Sequence, residues 1–378
     1  MLSSATIFDT IRNQGIGFFA GVPDSLLKDF CAFVTDHVPD DTHVITANEG
    51  NAIALAMGWY LGTGHMALVY MQNSGIGNAI NPLTSLADPE VYGIPMLVMV
   101  GWRGEPKVKD EPQHLKQGRI TPALLDALEL PWFVLDADTE NAEEVVADAC
   151  AAACARSTPA VLLVRSGCFE PYKLQWDRKT SYAMNREQAL QRIVGRLGPN
   201  ALLVSTTGKT SRELYEFRVT QGQSHGSDFL TVGGMGHTAS IAMGLARARP
   251  DRQVVCLDGD GSVLMHMGSL AIIGRSTVKN LLHIVINNGA HDSVGGQPTV
   301  GFEIDLPSIA RSCGYRIVRT VEDAETLDQA IPKLLQVDGP IFIEVRTNKG
   351  ARDNLGRPRS TPQQNKDAFM TYIGVNKT

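Results

Sequence analysis

Short apolar runs alternate with stretches of helical periodicity from one end of the chain to the other. In the first half the strand candidates are 17–20, 43–46, 66–71, 95–100, 132–135 and 160–164, and helices fit between them, for example at 51–60 and 142–155. A second series follows at 201–205, 229–232, 253–257, 281–286, 315–318 and 341–345. Most of these runs are apolar nearly throughout instead of alternating, as parallel strands covered on both faces require. The pattern predicts an α/β chain of two doubly wound, parallel-sheet domains. Residues 166–185, with Gly167, Pro171, several aromatics and mixed charge, break the rhythm, so the expected division is 1–165, a linker at 166–185, and 186–378. The two series show no sequence repeat.

Polar clusters stand at the ends of several runs. Gly259-Asp260-Gly261 follows the run 253–257 and precedes a stretch, 262–273, expected to be one helix rich in Leu and Met. Asn287-Asn288 ends the run 281–286. Both clusters therefore fall at the carboxyl ends of neighbouring parallel strands, where open α/β sheets bind ligands. The glycines let backbone approach a phosphate, and the N-terminus of the helix after Asp260 offers free N–H groups. Asp260 supplies a hard anionic oxygen and Asn288 a neutral amide oxygen; with diphosphate oxygens and a backbone carbonyl near Ala290 they can build an all-oxygen Mg²⁺ site. A bare Gly-Asp-Gly is ordinarily a turn, and only its surroundings argue otherwise. In the first half, Asn48-Glu49-Gly50-Asn51-Ala52 places one carboxylate at the first turn of an Ala-rich helix. Helix capping by Asn48, with Glu49 favoured by the helix dipole, accounts for it on local grounds.

Composition narrows the classes. The 378 residues, 43% hydrophobic and 20% charged, suffice for two substantial cores. A formal charge of −6 argues against a general nucleic-acid binder, so an anionic ligand needs local positive charge or metal. Six cysteines show no C-x-x-C pair and suggest buried thiols in a reducing compartment. The N-terminus has no basic start with a sustained apolar run, and no segment reaches the ~18 apolar residues of a membrane span, so a cytoplasmic protein with no membrane partner is expected.

The flanked Gly-Asp-Gly with Asn287-Asn288 resembles the signature of thiamine diphosphate enzymes, and Asn48 to Ala52 followed by Ala56-Met57-Gly58 resembles the pyrimidine-side motif of the pyruvate decarboxylase and acetolactate synthase superfamily. Gly21-Val22-Pro23 and Gly75-Ile76-Gly77-Asn78 resemble further active-site turns of that superfamily. The resemblance implies thiamine diphosphate and Mg²⁺ as cofactors, with Asp260, Asn288 and the Ala290 carbonyl on the metal. Gly259, Gly261 and Ser262 would lie against the diphosphate. Glu49 would face the aminopyrimidine, where a partly desolvated carboxyl group can exchange a proton. The Gly233 carbonyl would accept from the cofactor's amino group, and Met235 would support the thiazolium ring. A common middle domain is missing, which implies the compact two-domain 2-oxoacid decarboxylases. A homo-oligomer, a dimer at minimum, is implied as well.

Residues 102–119 carry five Lys or Arg residues after a strand end. A solvated basic loop explains them in isolation, whereas a substrate with a second anionic group would need a clamp of this kind. The motifs Gly21 to Leu27, Asp110 to His114, Asn287 to Thr299 and Leu355-Gly356-Arg357-Pro358 look most like members acting on 2-oxoacids with a distal phosphonate, sulfonate being the near alternative. The implied reaction is non-oxidative decarboxylation of 3-phosphonopyruvate to phosphonoacetaldehyde and CO₂. Arg103, Lys107, Lys109 and Lys116 are candidates for the distal anion, with Ser25 and His114 nearer the reacting carbon. The group that protonates the product carbon stays open between His291, His114 and Asp292, because the Glu that follows the Asn motif in pyruvate decarboxylases has no counterpart here. An acetolactate synthase type of carboligase is disfavoured by the missing middle domain, and an inactive cofactor-binding protein by the joint presence of Glu49, Asp260 and Asn288. The roles of Arg352, Arg357 and Arg359 are not legible.

Overall fold

A computed structural model describes residues 1–375. The chain divides into two compact units, one of Met1–Asp177 with Val294–Gln297, the other of Arg178–Ser293 with Pro298–Thr378. The first holds six parallel strands: β1 (Phe18–Gly21), β2 (His43–Ile45), β3 (Ala67–Gln72), β4 (Met96–Gly101), β5 (Trp132–Leu135) and β6 (Pro159–Val164), in the order β2-β1-β3-β4-β6-β5. The second holds β7 (Ala201–Ser205), β8 (Asp228–Leu230), β9 (Gln253–Gly259), β10 (Leu281–Asn287), β11 (Ile317–Val321) and β12 (Ile341–Arg346), in the order β11-β12-β10-β9-β7-β8. Read from the other edge, this is the same topology. The two-domain, doubly wound prediction holds, with no middle domain among the described residues.

Both faces of each sheet are packed, and the alternation along a strand sends neighbours to opposite layers. On β3, Leu68 and Tyr70 join Phe19, Phe30 and Leu162 on one face, while Ala67, Val69 and Met71 join Ile53, Val98 and Leu163 on the other. β10 divides likewise, with Leu282, Ile284 and Ile286 on one side and Leu281 and Val285 on the other.

Residues 166–185 are not a free tether. Leu2 N–H donates to the Cys168 carbonyl at 2.7 Å, and the Gln175 and Trp176 N–H groups donate to Asp36 at 2.7 and 2.8 Å. In the second unit, Tyr182 N–H donates to Asn348 Oδ1 at 3.1 Å, and Asn348 N–H donates to the Met184 carbonyl at 2.8 Å.

Three expectations are corrected. The stretch after Asp260 is two short helices, Asp260–Met265 and Ser269–Gly274, because His266 leaves helical geometry (φ −134°, ψ 49°) and Gly268 is a poor helix former. The basic stretch 102–119 is a loop only to Glu111: Pro112 sits in the first turn of the helix Pro112–Ala127, where its missing N–H costs nothing. All six cysteines are free, but they are not all buried, since Cys154 is exposed and Cys313 half-buried. No helix among the described residues is long and apolar enough to cross a membrane.

Candidate active site

In the first unit the strand order reverses between β1 and β3, and the loops after β1, β2 and β3 carry the polar residues. Asn48 caps the helix Glu49–Thr63 by accepting from Asn51 N–H at 3.0 Å, so the capping role and the placement of Glu49 in the first turn coexist. Glu49 is 5% exposed. Its Oε2 accepts from Asn78 Nδ2 at 2.7 Å. A Cβ on Gly75 would lie 2.4 Å from Glu49 Oε1, and one on Gly50 would lie 2.7 Å from the Asn78 carbonyl oxygen. The glycine-rich turn after β3 is therefore moulded onto the Glu49 carboxylate.

Beside it lies a network that joins Ser25 and Arg103 to Asp24, Gln72, Asn73 and Asp110. Asp24, fully buried, accepts from Gln72 Nε2 at 2.6 Å and from Leu26 N–H at 3.0 Å. Burial pushes its carboxyl upward from the ordinary carboxylate range, with the Gln72 hydrogen bond opposing. Gly101 at the end of β4 is required here, because a Cβ would meet Asp24 Oδ2 at 2.1 Å. Arg103 donates through Nε to Asp110 Oδ2 at 2.8 Å and through Nη1 to Ser25 Oγ at 2.5 Å. Asn73 Nδ2 donates to the Arg103 carbonyl at 2.8 Å and to Thr121 Oγ1 at 3.0 Å. Among the basic residues singled out, Arg103 is thus tied into the strand ends, while Lys107, Lys109 and Lys116 are exposed. His114 is half-buried in the first turn of the helix Pro112–Ala127, with Gln113 Nε2 3.5 Å from its Nε2. The Asp24 signal lay in Gly21-Val22-Pro23-Asp24-Ser25 itself, since a carboxylate directly after a buried strand and a proline faces the strand ends.

In the second unit, Asp260 is 3% exposed, accepts from the Thr299 hydroxyl, and pairs with no cationic side chain among the described residues. Burial pushes its carboxyl up to about 6. A buried carboxylate with only neutral donors fits a divalent cation, which would provide the missing charge. Asn288 Oδ1 accepts from Ala290 N–H at 3.2 Å, and the Thr299 N–H donates to the Gly289 carbonyl at 3.0 Å, closing the loop over Asp260. Any side chain at Gly301 would foul Asp260, at 2.8 Å from Oδ2. Ser262 Oγ accepts from Gly236 N–H at 3.1 Å, tying the Gly233-Gly234-Met235-Gly236 turn to the Asp260 helix. A Cβ on Gly261 would meet His291 Cε1 at 3.0 Å and Met235 Cε at 3.2 Å, so those two side chains converge above it. Burial alone pushes His291 down to about 4, leaving an uncharged ring at neutral pH. Asp292 does not qualify as a proton donor: burial would raise its pKa, but Arg186 at 2.7 Å and Lys209 outweigh it and hold the carboxylate ionised. Arg352 pairs with Glu187 at 3.0 Å and with Glu216, whereas Arg357 and Arg359 are exposed.

Comparison with known proteins accounts for this distribution. Residues 1–130 match the thiamine pyrophosphate enzyme N-terminal TPP binding domain, and residues 206–345 match the C-terminal TPP binding domain of the same enzymes. The chain belongs to the thiamine pyrophosphate enzymes. Within them its relatives are 2-oxoacid decarboxylases: phosphonopyruvate decarboxylase of Streptomyces viridochromogenes is 37% identical over 99% of this chain and 95% of that protein. Phosphonopyruvate decarboxylase of Streptomyces hygroscopicus is 37% identical over 98% and 94%, and sulfopyruvate decarboxylase of Methanosarcina acetivorans 27% over 98% and 97%.

Proposed function

We propose that this chain decarboxylates 3-phosphonopyruvate to phosphonoacetaldehyde and CO₂, using thiamine diphosphate and Mg²⁺. The observation that carries the reading is 37% identity to two phosphonopyruvate decarboxylases over nearly the whole chain. Asp260, Asn288 and the Ala290 carbonyl would hold the metal, and Gly259, Gly261 and Ser262 the diphosphate. Gly233 and Met235 would contact the aminopyrimidine and thiazolium rings. When bound, thiamine diphosphate supplies the nucleophilic carbon and the electron sink for CO₂ loss.

The chain's own residues do the rest. Glu49, oriented by Asn78, holds and returns a proton at the aminopyrimidine. Arg103, fixed in direction by Asp110, presents its guanidinium to the distal phosphonate, and Ser25 orients the substrate beside it. Lys107, Lys109 and Lys116 would draw the dianion in without gripping it. His114 and His291 are the two candidates for placing a proton on the product carbon, His291 as a neutral donor. A cytoplasmic homo-oligomer, a dimer at minimum, is the expected assembly, which light scattering would test.

The test presents phosphonopyruvate, sulfopyruvate and pyruvate in parallel and measures CO₂ and aldehyde. Phosphonopyruvate should be preferred in kcat/KM. A preference for sulfopyruvate by about tenfold, ~1.4 kcal/mol, would replace the substrate assignment. Cofactor binding with no CO₂ from any of the three would leave a binding protein.

A further inference from the structure

The helix Arg186–Gly195 begins with a buried arginine, and its partners lie on two other elements. Arg186 is 6% exposed and grips Glu213 through two nitrogens, Nε to Oε2 at 2.8 Å and Nη2 to Oε1 at 2.7 Å. That fork leaves Nη1 free to donate to Asp292 Oδ2 at 2.7 Å. Asp292 Oδ2 also accepts from Gly350 N–H at 3.3 Å and from Asn288 Nδ2 at 3.4 Å, while Lys209 Nζ stands 3.7 Å from Oδ1. The last contact but one is the informative one.

An amide side chain can present either its oxygen or its nitrogen to a metal, and only the oxygen serves. Asn288 Nδ2 faces Asp292 Oδ2, an atom already committed as an acceptor by Arg186. Flipping the amide would set Oδ1 against that acceptor. Asn288 Oδ1 is therefore held on the opposite side, where it accepts from Ala290 N–H and keeps a second lone pair.

We propose that Arg186 and Asp292 are positioning residues for the cation: Arg186 aims an acceptor oxygen of Asp292 at Asn288 Nδ2, which locks the Asn288 amide oxygen toward the metal. This rests on the assignment of Asn288 as a metal ligand. It puts the determinant of metal affinity on a helix distant in sequence from the ligand loop, with the Glu213 pair as its anchor. Partners that orient ligands commonly set metal affinity by about 10- to 100-fold.

The test titrates Mg²⁺ into the protein at fixed thiamine diphosphate, by calorimetry and by activity. Asp292→Ala keeps the Arg186–Glu213 pair and removes the acceptor; its Mg²⁺ midpoint should rise about tenfold or more, with kcat recovered at saturating Mg²⁺. Asp292→Asn, whose amide oxygen Arg186 can still orient, should restore the midpoint to within about threefold of wild type. An unchanged midpoint in Asp292→Ala overturns the inference, as does a loss of activity that Mg²⁺ does not recover. If Asp292→Ala fails to fold, Arg186→Lys, which keeps charge but loses the fork, should raise the midpoint, and an unchanged value overturns the inference. A wild type that binds no Mg²⁺ with thiamine diphosphate would overturn the metal assignment and this inference together, whereas a wild-type response with an unaffected Asp292→Ala would overturn this inference alone.

Discussion

Asn78, in the short helix Ile76–Pro82 that follows β3 and its turn, donates to Glu49 Oε2 at 2.7 Å, so the carboxylate at the start of the helix Glu49–Thr63 is oriented by a separate element. Glutamine at this position can still accept from Asn78 but cannot exchange a carboxyl proton. Glu49→Gln should bind thiamine diphosphate with wild-type affinity while kcat falls about 10²-fold or more. Calorimetry with the cofactor and CO₂ release check the two halves; near-wild-type turnover would remove Glu49 from its role.

Gly75 tests the same carboxylate by shape. Its backbone is ordinary (φ −71°), so alanine brings no conformational strain, only a methyl 2.4 Å from Glu49 Oε1. Gly75→Ala should lose about 1–3 kcal/mol of stability and at least about tenfold in kcat. A variant with wild-type kcat would show that the Glu49 position is not critical.

Charge at Asp260 is expected to be inseparable from the cation. Asp260→Ala should retain its fold and lose Mg²⁺-dependent cofactor binding, and chelation of wild type should abolish activity until Mg²⁺ is restored. Metal-independent cofactor affinity in wild type would contradict this.

Arg103 and the exposed lysines should separate kinetically. Arg103→Lys keeps the charge but breaks the fork to Asp110 and Ser25, so KM for the doubly charged substrate should rise about tenfold, ~1.4 kcal/mol. Replacing Lys107, Lys109 and Lys116 together by alanine should change KM by less than about threefold, since exposed charges act weakly and are screened by salt. Steady-state kinetics at two ionic strengths discriminates between them.

Asp24 predicts a pH effect on stability. Burial raises its folded-state pKa above the ordinary carboxylate range, so across the window from there upward the native state binds more protons than the unfolded chain. Stability from this group is thus fully present below the unfolded pKa and lost as pH rises through the folded one. Asp24→Asn lacks that loss. The difference in unfolding free energy, variant minus wild type, should therefore increase with pH from about 4 upward, whatever its offset at low pH. A flat difference in denaturant titrations would refute the burial argument.

The sheets are legible because their strands are apolar on both sides and bounded by glycine and polar turns, so all six strands of the first unit fall within one residue of their expected ends. The break in the helix after Asp260 is not legible because Leu and Met continue on both sides of His266, where the backbone leaves helical geometry; composition does not register that break. The pairing of Arg103 with Asp110 was hidden because a charge run shows which residues are basic but not which already have a partner. Arg186 is hidden for a related reason: a buried charge looks like any other charge until its neighbours from distant segments are known.

The shared strand order of the two sheets has a further meaning. Glu49 follows the second strand of its sheet, and Met235 follows the second strand of the other; the Gly75 turn follows the third strand, and Asp260 the third strand of its sheet. One scaffold thus occurs twice, and the proposed function would give its equivalent loops opposite tasks, proton exchange in one and charge binding in the other. Damage should sort accordingly: substitutions in the first set should change pH profiles at intact metal affinity, and those in the second should change metal affinity at intact pH profiles.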